Sequence, residues 1–214
     1  TTPATFPRPT VHRLLKIPYL NNWRMIICDT SGEVFNNLRR FGQSATFVQR
    51  SRTVLFLVSL PNLKDAGDIG VGMESLLKTY RDGMEGMGAD TKKQKLLVVY
   101  TLGDVLIKNG WLKKYPEISE YIDTGGAKKL DATGMVHYLD RLREISQELE
   151  RFTLNKLRAD NFVKIGANKK EFKDLTFCIV SSLGAPPSTE EITLNGIKRR
   201  RLSQKINPRR VIDP

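Results

Sequence analysis

Cysteine and histidine are both scarce in this sequence. The two cysteines, Cys28 and Cys178, sit inside apolar runs, and the two histidines, His12 and His137, stand far apart. That excludes a disulfide framework and a Cys/His zinc site as the basis of the fold. It suits buried thiols in a reducing compartment, so a cytoplasmic location is the expectation. Long hydrophobic runs are missing too. None approaches the roughly 20 residues that cross a bilayer, and no membrane span is expected. No signal peptide is visible, and the chain begins at Thr1 rather than Met. A further N-terminal part is therefore expected upstream.

What is present is ordinary in bulk and unusual in sign. Over 214 residues, 40% are hydrophobic and 27% charged, which suits one large globular domain or one domain with an insertion. The net charge is +12. Such a surface attracts anions, whether as plain solubility or as a nucleic-acid or acidic-membrane interface. The densest basic run is Lys198, Arg199, Arg200 and Arg201, followed by Lys205, Arg209 and Arg210. It reads first as a solvated strand or loop face, with nucleic-acid binding the lesser alternative. No aromatic residue interleaves with it, so a stacking platform for single strands is not indicated.

Residues 11–20 and 23–28 read as two strands joined at Asn21-Asn22, a β-hairpin. Residues 34–41 suit a short helix. Residues 53–60 (TVLFLVSL), 95–100 (KLLVVY) and 175–180 (LTFCIV) are apolar without alternation, as in strands covered by helices on both faces. Residues 73–80 read as helix and 82–95 as loop. A helix start is expected at 116–122. The strongest helical period runs over 133–157, where Met135, Tyr138, Leu139, Leu142, Ile145, Leu149 and Phe152 recur at three- and four-residue steps. This helix either covers the sheet or forms an inserted subdomain for a partner. The fold class expected is α/β: a doubly wound, mostly parallel sheet with one antiparallel hairpin strand, plus a helical insertion. Residues 1–115 and 173–214 would form the α/β domain, and 116–172 the insertion or a set of sheet-covering helices.

Three strand ends carry polar residues. They are Asp29-Thr30-Ser31-Gly32-Glu33, Thr101-Leu102-Gly103-Asp104 and Ser181-Ser182-Leu183-Gly184. In an open parallel sheet such loops share the carboxyl edge, where ligands bind. Simpler roles stay open: Asp29 and Asp104 are each suited to capping the helix that follows.

With these residues in this order, the chain resembles the Ras-like branch of the P-loop GTPases, over about residues 5–110 and 173–185. DTSG is similar to that family's DxxG motif, and TLGD to a degenerate form of its [NT]KxD motif. SSLG is similar to its guanine loop, and the hairpin to its antiparallel second and third strands. The resemblance implies a molecular switch that binds GTP and GDP with Mg2+, and a protein effector or activating partner. It gives Asp29 and Thr10 to the metal, with Thr5 as the alternative to Thr10. It gives Gly32 to the terminal phosphate. Thr101, Asp104, Ser181, Ser182 and Leu183 go to the guanine, and Glu33 to the attacking water. A narrower likeness, to bacterial Ras-like proteins of the double-GTPase type, rests on the long spacing between TLGD and SSLG and on the ending NPRRVIDP.

Three departures shape these expectations. No segment fits G-x-x-x-x-G-K-[ST], the phosphate-cradling loop. In the family it precedes the hairpin, so it is expected upstream of Thr1 or is lost. Leu102 stands where the family usually has Lys. Glu33 stands where a Gln is common, and an ionised carboxylate accepts hydrogen bonds but cannot donate them. Slow hydrolysis is expected, with Arg39 and Arg40 as candidate cationic helpers or as plain surface charges. The alternative to a switch is a GTPase-like module that has lost its P-loop and docks a partner through its helices.

Overall fold

The computed structural model describes residues 10–13, 24–27, 46–60, 65–123, 132–181, 187–194 and 197–202. The chain divides into two compact units, residues 1–52 with 75–91 and residues 53–74 with 92–214.

In the first unit, β1 (Thr10–Arg13) pairs antiparallel with β2 (Arg24–Ile27), with Thr10 opposite Ile27. A 3-10 turn covers Thr46–Arg50 and buries Val48. Helix α1 (Ala66–Gly86) gives its second half to this unit. Leu77, Tyr80 and Met84 are buried there at helical spacing. The amide of Gln49 donates to the Met87 carbonyl at 3.5 Å. The loop expected over 82–95 is thus corrected. Despite its glycines the helix continues to Gly86, because the apolar stripe reaches Met84, and a 3-10 turn at Thr91–Lys93 follows.

The second unit is built on a three-stranded parallel sheet of β3 (Thr53–Ser59), β4 (Lys95–Thr101) and β5 (Asp174–Ile179), in the order β3-β4-β5. The unit is α/β, as expected. Four helices complete it with the first half of α1: α2 (Gly103–Lys108), α3 (Pro116–Asp123), α4 (Ala132–Asn155) and α5 (Asp160–Gly166). A last antiparallel pair, β6 (Pro187–Leu194) and β7 (Ile197–Leu202), is a two-stranded ladder. The described strands therefore fall into three ladders. β1 and β2 come from the two segments expected to form the hairpin, but they pair in a two-stranded ladder of their own rather than as part of the parallel sheet, and Arg13 stands opposite Arg24, a register different from that of strands closed at Asn21-Asn22.

Alternate residues of the sheet make the core. Phe56 of β3 meets Phe162 of α5 edge to face, with ring centroids 6.0 Å apart. Tyr100 of β4 stacks with Phe177 of β5 at 6.3 Å and meets Phe152 of α4 edge to face at 5.9 Å. Such pairs add specificity beyond area burial. The Tyr100 hydroxyl shares a 2.6 Å hydrogen bond with the Thr153 hydroxyl, which also lies 2.6 Å from the Leu149 carbonyl oxygen. Burial raises the Tyr100 phenol well above its ordinary value, and the Thr153 bond offsets this in part.

Two close approaches set the helices. A Cβ on Gly70 would stand 2.0 Å from the Leu157 carbonyl oxygen, so only glycine lets α1 come this near the turn before α5. The Glu74 carboxylate then accepts the Asn161 backbone N–H at 3.0 Å, taking up a donor in the first turn of α5. Helix α4 runs against β5, and its Ser146 hydroxyl accepts the Phe177 N–H at 2.9 Å.

Two expectations are corrected. The sheet is not covered evenly. Leu55 and Leu57 on the other face of β3 are 55% and 66% exposed, although Val99 and Cys178 on β4 and β5 are buried. The long stripe on α4 is also buried only in part. Ile145, Leu149 and Phe152 are in the core, while Met135 and Leu139 are over 40% exposed. Helical period alone does not say how far along its length a helix meets the sheet.

Candidate functional site at the carboxyl edge of the sheet

Because β3, β4 and β5 are parallel and in register, Ser59 lies beside Thr101, and Tyr100 beside Ile179. The chain ends of TVLFLVS, KLLVVYT and DLTFCI thus share one edge. Of the three polar strand ends singled out in the sequence, two have described residues here: TLGD after β4 and the first serine of SSLG after β5.

Backbone bonds fasten these two ends together. The Val180 N–H donates to the Tyr100 carbonyl at 2.8 Å, and the Gly103 N–H donates to the Val180 carbonyl at 3.1 Å. Between them Leu102 takes a left-handed conformation, φ 64° and ψ 35°. A non-glycine residue there carries strain of about 1–3 kcal/mol, which the surrounding bonds must hold. The adjacent glycine cannot be exchanged freely either. A Cβ on Gly103 would lie 3.1 Å from Ile122 Cδ1 and 3.2 Å from Ile179 Cγ1.

The turn aims Asp104 at β5. The Ser181 hydroxyl donates to Asp104 Oδ1. Ser181 is buried and Asp104 half-buried. This settles one alternative from the sequence. Asp104 is the second residue of α2, the N-cap position belongs to Leu102, and no side chain caps that helix end. The carboxylate therefore does not serve as a cap. It also changes the part expected of Ser181, whose hydroxyl donates to Asp104 and so orients the carboxylate. An ionised carboxylate has about four acceptor positions, so one serine leaves it able to accept two further donors. Thr101 is half-buried at the end of β4.

The remaining sequence candidates are placed unevenly. Thr10 is the first residue of β1, paired with Ile27, rather than part of a loop before the strand. Asp29, Gly32, Glu33, Ser182 and Leu183 lie outside the described residues, as do Arg39, Arg40 and the helix expected over 34–41. Among the described residues no group of three or more His, Cys, Asp or Glu is placed to hold a metal ion. A cleft of about 420 Å³ opens between the end of α2 and α3, edged by Ile107, Gly110, Lys113, Glu120 and Asp123.

Sequence reasoning missed the left-handed Leu102, because Gly103 beside it is the residue such a turn would ordinarily select. It also missed the β6–β7 hairpin. Asn195-Gly196, the favoured residue pair for a two-residue connection, was the available signal. Comparison of the chain with protein-family models, with curated proteins and with solved structures finds no match.

Proposed function

We propose that the chain is a guanine-nucleotide-binding switch of Ras-like type. The observation that carries this reading is the Ser181–Asp104 contact across the carboxyl ends of neighbouring parallel strands. The sequence resemblance gave both residues to guanine recognition, and they are 77 positions apart in the chain. A carboxylate fixed by a buried serine and still half-exposed suits the paired N1 and N2 donors of guanine. Adenine offers no such pair, and a carboxylate covered by the bound base would then be left with unmatched acceptors, which is costly.

The phosphate-side roles rest on the sequence resemblance alone. In this proposal the Thr10 hydroxyl and the Asp29 carboxylate are oxygen donors of the kind Mg2+ takes. The Gly32 N–H meets the terminal phosphate, and Glu33 orders water. Mg2+ would supply charge neutralisation at the phosphates, and hydrolysis would be slow. The nucleotide state would be read by a protein partner.

Asp104→Asn tests the base assignment. An amide in place of the carboxylate presents a donor where guanine N2 also donates. The expected result is a loss of GTP affinity of about 100-fold, with xanthosine triphosphate now bound more tightly than GTP. Unchanged preference for GTP in that variant would overturn the guanine reading.

A further inference from the structure

The two edges of the parallel sheet differ. At β5 the Phe177 N–H is taken by Ser146 of α4, so a helix covers that edge. At the other end of the order β3-β4-β5, β3 has β4 as its one strand neighbour among the described residues. It runs for seven residues in unbroken register. It carries no charge, no proline and no bulge, the devices that ordinarily keep an edge from pairing with another chain.

The sequence of this strand is symmetric about its centre. Around Phe56 stand Leu55 and Leu57, then Val54 and Val58, then Thr53 and Ser59, so apolar matches apolar and hydroxyl matches hydroxyl. The faces follow the same symmetry. Thr53, Leu55, Leu57 and Ser59 share one face and are exposed. On the other face Phe56 and Val58 are buried and Val54 is half-buried. A second strand of the same sequence, antiparallel and centred on Phe56, would set Leu55 opposite Leu57, Val54 opposite Val58 and Thr53 opposite Ser59.

We infer that two copies of this chain pair through β3, antiparallel about a twofold axis at Phe56, joining the three strands of each copy into one sheet. Such an interface is isologous, with the same patch used on both sides. Opposed Cβ atoms stand about 4.5–5.5 Å apart, so the four exposed leucines would cover one another in two cross-strand pairs. Charge favours a second copy at this place and in this direction. The chain carries +12 and repels its own kind, yet this strand has no charge. The exposed Arg52 comes just before it. Antiparallel pairing sets each Arg52 opposite Leu60, which keeps the two arginines about 27 Å apart, well beyond the ~8 Å screening length at physiological salt. Parallel pairing would set them side by side. Because α4 covers the β5 edge, the sheet closes at two copies instead of growing into a filament. The interface runs along the side of the sheet and does not depend on nucleotide binding at its carboxyl edge.

The test is sedimentation equilibrium of the full chain from about 1 to 100 µM. The mass is expected to rise from the 24.3 kDa of one chain toward twice that value. Leu55→Lys/Leu57→Lys sets lysine opposite lysine in both pairs, at positions exposed in the single chain. It is expected to weaken association by at least about 100-fold, with an unchanged circular dichroism spectrum. Leu55→Glu/Leu57→Glu is expected to do the same alone and to restore dimers when mixed with the lysine variant. A parent that keeps the mass of one chain at every concentration would overturn the inference. So would association beyond two copies, a lysine variant as dimeric as the parent, or folded lysine and glutamate variants that stay apart when mixed.

Discussion

The Ser181 hydroxyl donates to the Asp104 carboxylate, joining the end of β5 to the first turn of α2 across 77 positions of chain. The contact stands on a frame of backbone bonds, Val180 to Tyr100 and Gly103 to Val180, that fixes both loops before any side chain is considered. The serine is fully buried, so its part is to hold the carboxylate in one orientation rather than to reach a ligand.

Ser181→Ala is therefore expected to leave the fold intact and to loosen Asp104. A hydrogen bond to a charged group contributes about 1.5–3 kcal/mol. Guanine-nucleotide affinity should fall by about 10-fold or more, and Ser181→Thr should recover part of it if the added methyl is accommodated. Isothermal titration with GDP measures this. Affinity unchanged in Ser181→Ala would remove the orienting role.

Gly70→Ala is expected to be among the most damaging single-methyl additions to the chain. The new Cβ would meet a backbone carbonyl oxygen of Leu157 that no side-chain rotation can move. Overpacking of this kind costs about 1–3 kcal/mol, and the upper end is expected here. Urea unfolding monitored by circular dichroism gives the value, and a loss under about 0.5 kcal/mol would show that α1 is not held this closely.

Tyr100 sets a limit on alkaline stability. Its hydroxyl is buried with Thr153, and burial raises its ionisation above the ordinary value of 10.0. Below pH 10 the phenol is neutral in both folded and unfolded chains, and its contribution is complete. Above pH 10 the unfolded chain loses the proton while the folded one keeps it, so stability falls as pH rises, by up to about 1.4 kcal/mol per unit from this group. Urea unfolding at pH 8 and pH 11 should show a smaller drop in Tyr100→Phe than in the parent. Equal drops would contradict the buried, protonated phenol.

The sequence carried the sheet well because its three strands are short apolar runs bounded by turn residues, and the edge they create follows from their being parallel. It carried less about coverage. TVLFLVS reads as a strand buried on both faces, yet Leu55 and Leu57 are exposed, since composition cannot tell a strand face that is covered from one left open. The α4 period placed Ile145, Leu149 and Phe152 in the core correctly. It could not show that Met135 and Leu139 stay largely exposed. At the site, Asp104 and Ser181 were legible as polar residues following strands. The bond between them was not, because a carboxylate after a strand suits a helix cap equally well, and only the left-handed turn at Leu102 moves Asp104 inside the helix.

The most direct measurement is equilibrium binding of GTP and GDP against ATP by the full chain, with and without Mg2+. The account predicts that guanine nucleotides bind at least about 100-fold more tightly than ATP, as expected where a fixed acceptor pair meets a base with or without matching donors. Mg2+ is expected to strengthen the triphosphate most. Equal affinity for GTP and ATP, or binding of neither, would contradict it and leave the Ser181–Asp104 contact as a structural tie between two strand ends.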